Sequence, residues 1–162
     1  MLTDFKDRLT VSGAPSAWGL HRTSVKLLKA LRLAEFIPGK SIVVWSITVV
    51  SRAEMMRLNR KYRGKRQPTD VLSFEQPGKP PRGVLFLGDL VLCLPIVRSQ
   101  ARRHGHGVRA ESTVLLAHGV LHLLGYDHER SPREDRLMLA AEQKLLRAIG
   151  FGSAGLIRRG KL

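Results

Sequence analysis

Apolar residues recur at helical spacing from Leu20 through Ser24, Leu27, Leu28, Leu31 and Ala34 until Pro38-Gly39 interrupts them, which predicts an amphipathic first helix. The next run, Ile42 to Val50, is rich in Ile, Val, Trp and Thr and too short for a membrane, so it reads as a well-buried strand. Ser51-Arg52-Ala53-Glu54 has the form of a capping box, with Glu54 reaching back to Ser51. A second helix therefore runs to about Tyr62, with Met55, Leu58, Asn59 and Tyr62 on its inner side. A basic turn, 62–70, leads into a short strand Val71-Leu72-Ser73-Phe74, and Gly64 and Pro68 mark that turn as irregular. Residues 76–83 form a flexible connection by composition. Leu85 to Cys93 reads as another strand, or a strand pair interrupted at Gly88-Asp89.

Pro95 suits the first turn of a third helix ending near Arg103, where Gly105-His106-Gly107 breaks the pattern. His104 and His106, set among arginines and glycines, read as surface loop residues and not as ligands. From about Arg109 a helix follows that is apolar around most of its circumference, which predicts a central, buried element. Ser131-Pro132-Arg133-Glu134 supplies a second capping box, and Leu137, Met138, Ala141, Leu145, Ala148 and Ile149 define a last amphipathic helix ending at Gly150. Strands interleaved with helices, without regular βαβ repetition, predict an α+β fold: a small mixed β-sheet covered by about five helices, one of them carrying a zinc-hydrolase-like histidine pair. A single domain over 1–162 is expected, with mobile ends at 1–16, read as poorly ordered or an edge segment, and at 152–162.

Charge changes this picture. The 28 Lys+Arg against 13 Asp+Glu give a net charge of +15, a field that attracts polyanions. The cations are spread along the chain and do not line one face of an amphipathic helix, so nucleic acid is favoured over an anionic membrane. The opening Met1 to Asp7 carries acids and no apolar run, so no secretory signal is expected, and no stretch approaches the ~18–20 apolar residues of a membrane span. The lone cysteine, Cys93, sits in an apolar strand and reads as a buried small side chain, and a reducing cytoplasm is the natural compartment.

The chemistry concentrates in Ala117-His118-Gly119-Val120-Leu121-His122-Leu123-Leu124-Gly125-Tyr126-Asp127-His128. His118 and His122 lie one turn apart on one helical face, and burying two imidazoles without partners would cost roughly 1–3 kcal/mol each. Gly125 is placed to end the helix in a left-handed turn that returns His128 toward the pair. Three neutral histidines with a fourth position left to water form the ligand set of catalytic zinc. The spacing matches the H-E-x-x-H-x-x-G-x-x-H pattern of zinc proteases except that Gly119 stands where the protease has its glutamate base, which argues for a different substrate bond. A metal so held keeps its positive charge, favours an anion and lowers the pKa of bound water toward about 7, and a phosphodiester suits both properties. Asp127 is a candidate proton acceptor, although an acid in this position is more often a turn cap.

The same histidine segment resembles the signature of the YbeY family of bacterial rRNA maturation factors, described as metal-dependent endoribonucleases. The resemblance extends through Leu58-Asn59-Arg60-Lys61-Tyr62-Arg63-Gly64-Lys65, Pro68-Thr69-Asp70-Val71-Leu72-Ser73-Phe74 and Leu87-Gly88-Asp89-Leu90. It implies one zinc ion per chain on His118, His122 and His128, with Arg63 as the active-cleft arginine. It also implies single-stranded RNA as substrate, the 3′ end of 16S rRNA and the small ribosomal subunit as partners, ribosome quality control, a cytoplasmic location, and neither DNA nor membrane as partner. Arg66 and Glu75 depart from the family's pattern, away from the metal, and bear on substrate preference. Two other readings stay open: a non-catalytic ribosome-assembly factor with a metal site, and a zinc hydrolase of another bond such as a peptide.

Overall fold

A computed structural model describes residues 7–152. The elements run β1 (Arg8–Ser12), a 3-10 turn (Ser16–Trp18), α1 (Leu20–Leu33), β2 (Ile42–Val50), α2 (Arg52–Arg63), β3 (Val71–Phe74), β4 (Val84–Cys93), α3 (Leu94–Arg103), α4 (Val108–Leu123) and α5 (Pro132–Ala148). The sheet has the order β1-β2-β4-β3. β1 and β4 flank β2 in parallel, and β3 joins β4 antiparallel, so the small mixed sheet with five helices is the α+β architecture expected.

Within the stretch 1–16, read as poorly ordered or an edge segment, residues 8–12 form the edge strand β1. Five residues carrying only Leu9 and Val11 as apolar positions give too weak an alternation to stand out, and the strand is fixed by a side chain outside it. Asp7 accepts from the Val43 amide at 2.9 Å and pairs with Arg32 of α1 through two contacts of 2.6 and 2.7 Å. The Arg32 guanidinium holds the Asp7 carboxyl below its ordinary range, a charge-assisted pair that ties β1, β2 and α1 together. Residues 1–6 and 153–162, and the mobility expected there, lie outside the described residues.

The two faces of the sheet differ. Val43, Trp45, Ile47 and Val49 of β2 and Leu90 and Leu92 of β4 face the main core, which α1, α4 and α5 complete. A smaller core on the other face joins Met55 of α2 to Leu72, Val91 and Cys93, with Phe74 and Ile96 against it. β2 is accordingly buried only at alternate positions, because α2 shields the β3 side of that second face and leaves its Ile42, Val44, Ser46, Thr48 and Val50 side half-exposed.

The Leu85–Cys93 run lies within one ten-residue strand, Val84–Cys93, and is not a pair of strands. The register with β2 steps from Val44–Phe86 to Trp45–Gly88, so Leu87 is the extra residue of a β-bulge. Gly88 has φ +121°, and a Cβ there would meet the Phe74 carbonyl oxygen at 2.6 Å and a Leu123 methyl at 2.8 Å. Both backbone strain and displaced neighbours oppose a side chain, each on the order of 1–3 kcal/mol. Gly88→Ala is expected to lower stability by about 3 kcal/mol, read as a fall in the urea midpoint with the slope unchanged.

Both predicted N-caps form, with Ser51 and Ser131 each accepting from the amide three residues on at 3.2 Å. Glu54 pairs with Arg57 at 2.7 Å, so the first box is closed by Ser51 alone. α4 is buried at every position from Glu111 to Leu121, in keeping with its nearly continuous apolar surface. No described helix is long and apolar enough to cross a membrane.

Candidate metal centre

α4 carries His118 and His122 on one face, and its end decides where His128 falls. Gly125, at φ +93°, donates to the His122 carbonyl at 3.0 Å, and Tyr126 donates to the Leu121 carbonyl at 3.0 Å. This pair of bonds is a Schellman close, which satisfies the last helical carbonyls and reverses the chain. The three rings then converge, with centroids 4.6 Å apart for His118–His122 and 5.2 Å for each pair with His128. One ligand nitrogen from each lies within 4.8 Å of the other two.

Hydrogen bonds assign the tautomers. His122 Nδ1 lies 2.9 Å from the Tyr126 carbonyl oxygen, which only accepts, so the proton of the neutral ring is on Nδ1. His118 Nδ1 faces the Glu142 carboxylate, which places its proton on Nδ1 as well. Both Nε2 atoms then present lone pairs, 3.0 Å from each other. Two lone pairs so close repel unless a cation accepts both, and tetrahedral coordination at the ~2.0–2.1 Å of zinc–imidazole bonds sets donors about 3.3 Å apart. The donor set fits a divalent transition metal.

Electrostatics agree. His122 is pushed down to about 4, first by burial and then by the neighbouring His118 and His128, so at neutral pH it is the uncharged ligand form. Glu142 is itself 5% exposed, on the apolar stripe of α5 between Met138 and Leu145. A carboxylate holding the far nitrogen of a ligand histidine fixes the ring's orientation and raises its basicity. Sequence reasoning missed Glu142, although an acid on an otherwise apolar helical stripe is the signal that would have found it.

Gly119 has a physical explanation that the protease comparison did not reach. A Cβ there would lie 2.8 Å from a Leu90 methyl and 3.3 Å from Ser73 Oγ, because α4 packs flush on β3 and β4. Ser73 Oγ also donates to the Gly119 carbonyl at 3.2 Å. A glutamate at this position would point into the sheet, so the site has no room for the protease base. Asp127 is a turn cap, accepting from the Glu129 amide at 2.9 Å and pairing with Arg130 at 3.1 Å. The Glu129 amide, with lesser help from Arg130, holds its carboxyl below the ordinary range, which makes it a poor proton acceptor.

Arg63, the active-cleft arginine that the resemblance implies, ends α2 with an exposed side chain. The loop that follows is pinned at both ends: buried Asn59 donates to the Gln67 carbonyl at 2.6 Å, and Asp70 accepts from Val71 and Gln100 at 2.8 and 3.1 Å. Between the pins Gly64, Lys65, Arg66 and Gln67 are exposed. Tyr62, expected on the inner side of α2, is 55% exposed and packs its edge on Phe74 with centroids 4.9 Å apart.

Comparison with known proteins bears on this arrangement. The family Endoribonuclease YbeY matches residues 20–150. An Endoribonuclease YbeY of Roseiflexus sp. (strain RS-1) is 44% identical over 111 residues, covering 65% of this chain and 69% of its own. That of Anaeromyxobacter dehalogenans is 42% identical over 149 residues, covering 92% of this chain and 72% of its own. A solution structure from Thermotoga maritima superposes with a TM-score of 0.59 at 28% identity, covering 88% of this chain and 87% of that one. With the family match spanning α1 to the end of α5 and enclosing all three histidines, the chain belongs to the Endoribonuclease YbeY family, a family of hydrolytic nucleases.

Proposed function

We propose that this chain is a zinc-dependent endoribonuclease of single-stranded RNA that acts in the cytoplasm on the 3′ end of 16S rRNA and in quality control of the small ribosomal subunit. The observation that carries the reading is the 3.0 Å approach of the two Nε2 atoms, with each ring's Nδ1 held by a partner and His128 beside them. His118, His122 and His128 would hold the ion, and Glu142 and the Tyr126 carbonyl would keep two of the rings in the binding tautomer. When bound, zinc supplies positive charge for a phosphate oxygen and acidifies water.

Arg63, always protonated and fork-shaped, would clamp the RNA phosphate from the end of α2. Lys65 and Arg66 in the pinned loop continue that positive surface, and the net charge of +15 supports binding that weakens steeply with salt. The peptide-hydrolase reading loses ground to Gly119, whose packing against Leu90 leaves no place for a glutamate base.

Arg63→Glu tests the separation of roles. Zinc content should match the wild type, because Arg63 is none of the three ligands, while single-turnover cleavage of a single-stranded RNA should fall by about 10²–10³-fold. Equal cleavage by Arg63→Glu and wild type would remove Arg63 from the mechanism.

A further inference from the structure

The turn between α3 and α4 gathers a second set of ligand-type side chains that the triad does not use. His104 follows the last residue of α3, His106 stands between Gly105 and Gly107, and Glu111 lies one turn into α4. The glycines and arginines around them read as a solvated loop, yet the fold closes both imidazoles over one buried carboxylate. Glu111 Oε2 lies 2.9 Å from His104 Nδ1 and 3.1 Å from His106 Nε2, and the Glu111 side chain is only 5% exposed. One ligand atom from each of the three lies within 4.8 Å of the others.

Two details set this group apart from an ordinary surface pair. A buried carboxylate needs a compensating charge, which a bound cation would supply. In addition, His106 Nε2 is buried and, despite its closeness to Glu111, makes no hydrogen bond of acceptable geometry. A nitrogen aimed at a cluster without a linear hydrogen bond is placed as a ligand atom would be.

We infer that His104, His106 and Glu111 form a second divalent-cation site, distinct from the histidine triad, that takes zinc or a similar imidazole-preferring transition metal. Two histidines and a glutamate are an established zinc ligand set with a position left for water. Magnesium and calcium, which demand mostly oxygen ligands, do not suit it. The two nitrogens need to draw away from Glu111 Oε2 by only a few tenths of an ångström to reach the ~3.3 Å of tetrahedral coordination. Glu111 and His118 are seven residues apart on α4, which places the two sites about 10 Å apart along the axis. Paired catalytic metals sit about 3.5–4 Å apart, so this ion would not share the chemistry of the triad. Its effect is to clamp the C-terminus of α3 to the N-terminus of α4. Arg102, Arg103 and Arg109 around the turn oppose a cation, so the site is filled only with zinc in excess.

The test is equilibrium dialysis of the chelator-stripped full-length chain against excess zinc, counting bound ions per chain for wild type, His104→Asn, Glu111→Gln and His128→Ala. His104 is at the surface, so His104→Asn keeps the fold, which circular dichroism checks. The expected result is that His104→Asn and Glu111→Gln each lose one ion relative to wild type. In His128→Ala the ion that depends on His104 should remain, and adding His104→Asn to it should remove it. If His104→Asn and Glu111→Gln both hold as much zinc as wild type, the second site does not exist and the cluster only shields a buried carboxylate.

Discussion

Replacing His122 with alanine is expected to abolish tight zinc binding and to lower RNA cleavage by at least about a hundredfold while leaving the helical content intact. Of the three proposed ligands, His122 is the best fixed before any metal arrives. Burial and the two neighbouring histidines keep it uncharged at neutral pH, and the Tyr126 carbonyl holds its proton on Nδ1, so Nε2 is ready to coordinate. Metal assistance in hydrolysis supplies several kcal/mol of transition-state stabilisation, and each ~1.4 kcal/mol is a factor of ten in rate. The side chain is half-buried at the last turn of α4, so its loss leaves no large cavity in the core. Metal analysis and single-turnover cleavage on the same preparation check both halves. Unchanged zinc content in His122→Ala would remove it from the ligand set.

The second large effect is expected at Glu142, which touches no substrate. Glu142→Gln keeps the size and one accepting oxygen but removes the negative charge behind His118 Nδ1. Loss of such a partner costs about 10–100-fold in metal affinity. The weakening should appear as an earlier loss of zinc in competition with a graded chelator. A merely structural role would instead shift the melting temperature of the metal-free protein and leave zinc affinity untouched, so the two explanations separate. Glu142→Asp, with a shorter carboxylate, should recover part of the affinity if charge is what matters.

Legibility in the sequence followed locality. The i, i+4 histidines, the Gly125 turn and the two serine caps are interactions within a few residues, so helical periodicity and turn chemistry expose them. The partner of His118 lies 24 residues away on α5, and no local pattern connects the two. For the same reason His104 and His106 read as loop residues: the carboxylate that organises them belongs to the next helix. The segment holding β1 reads no further than poorly ordered or an edge segment because its anchor is Asp7 bonded to Arg32 and Val43, 25 and 36 residues distant. Gly119 shows the opposite case, a position whose importance was legible but whose cause was not. Comparison with the protease pattern reads it as a missing base, whereas the contact with Leu90 makes it the close-packing point between α4 and the sheet.

The central claim is that an ion held by His118, His122 and His128 is required for RNA cleavage. The most direct test is cleavage of a single-stranded RNA by the full-length chain after chelator stripping, before and after zinc is returned, beside His118→Ala treated identically. Stripped wild type should lose activity and regain it with zinc, while His118→Ala should stay inactive throughout. Cleavage by the stripped wild type at the rate of the loaded protein, or by His118→Ala at the wild-type rate, would contradict the claim.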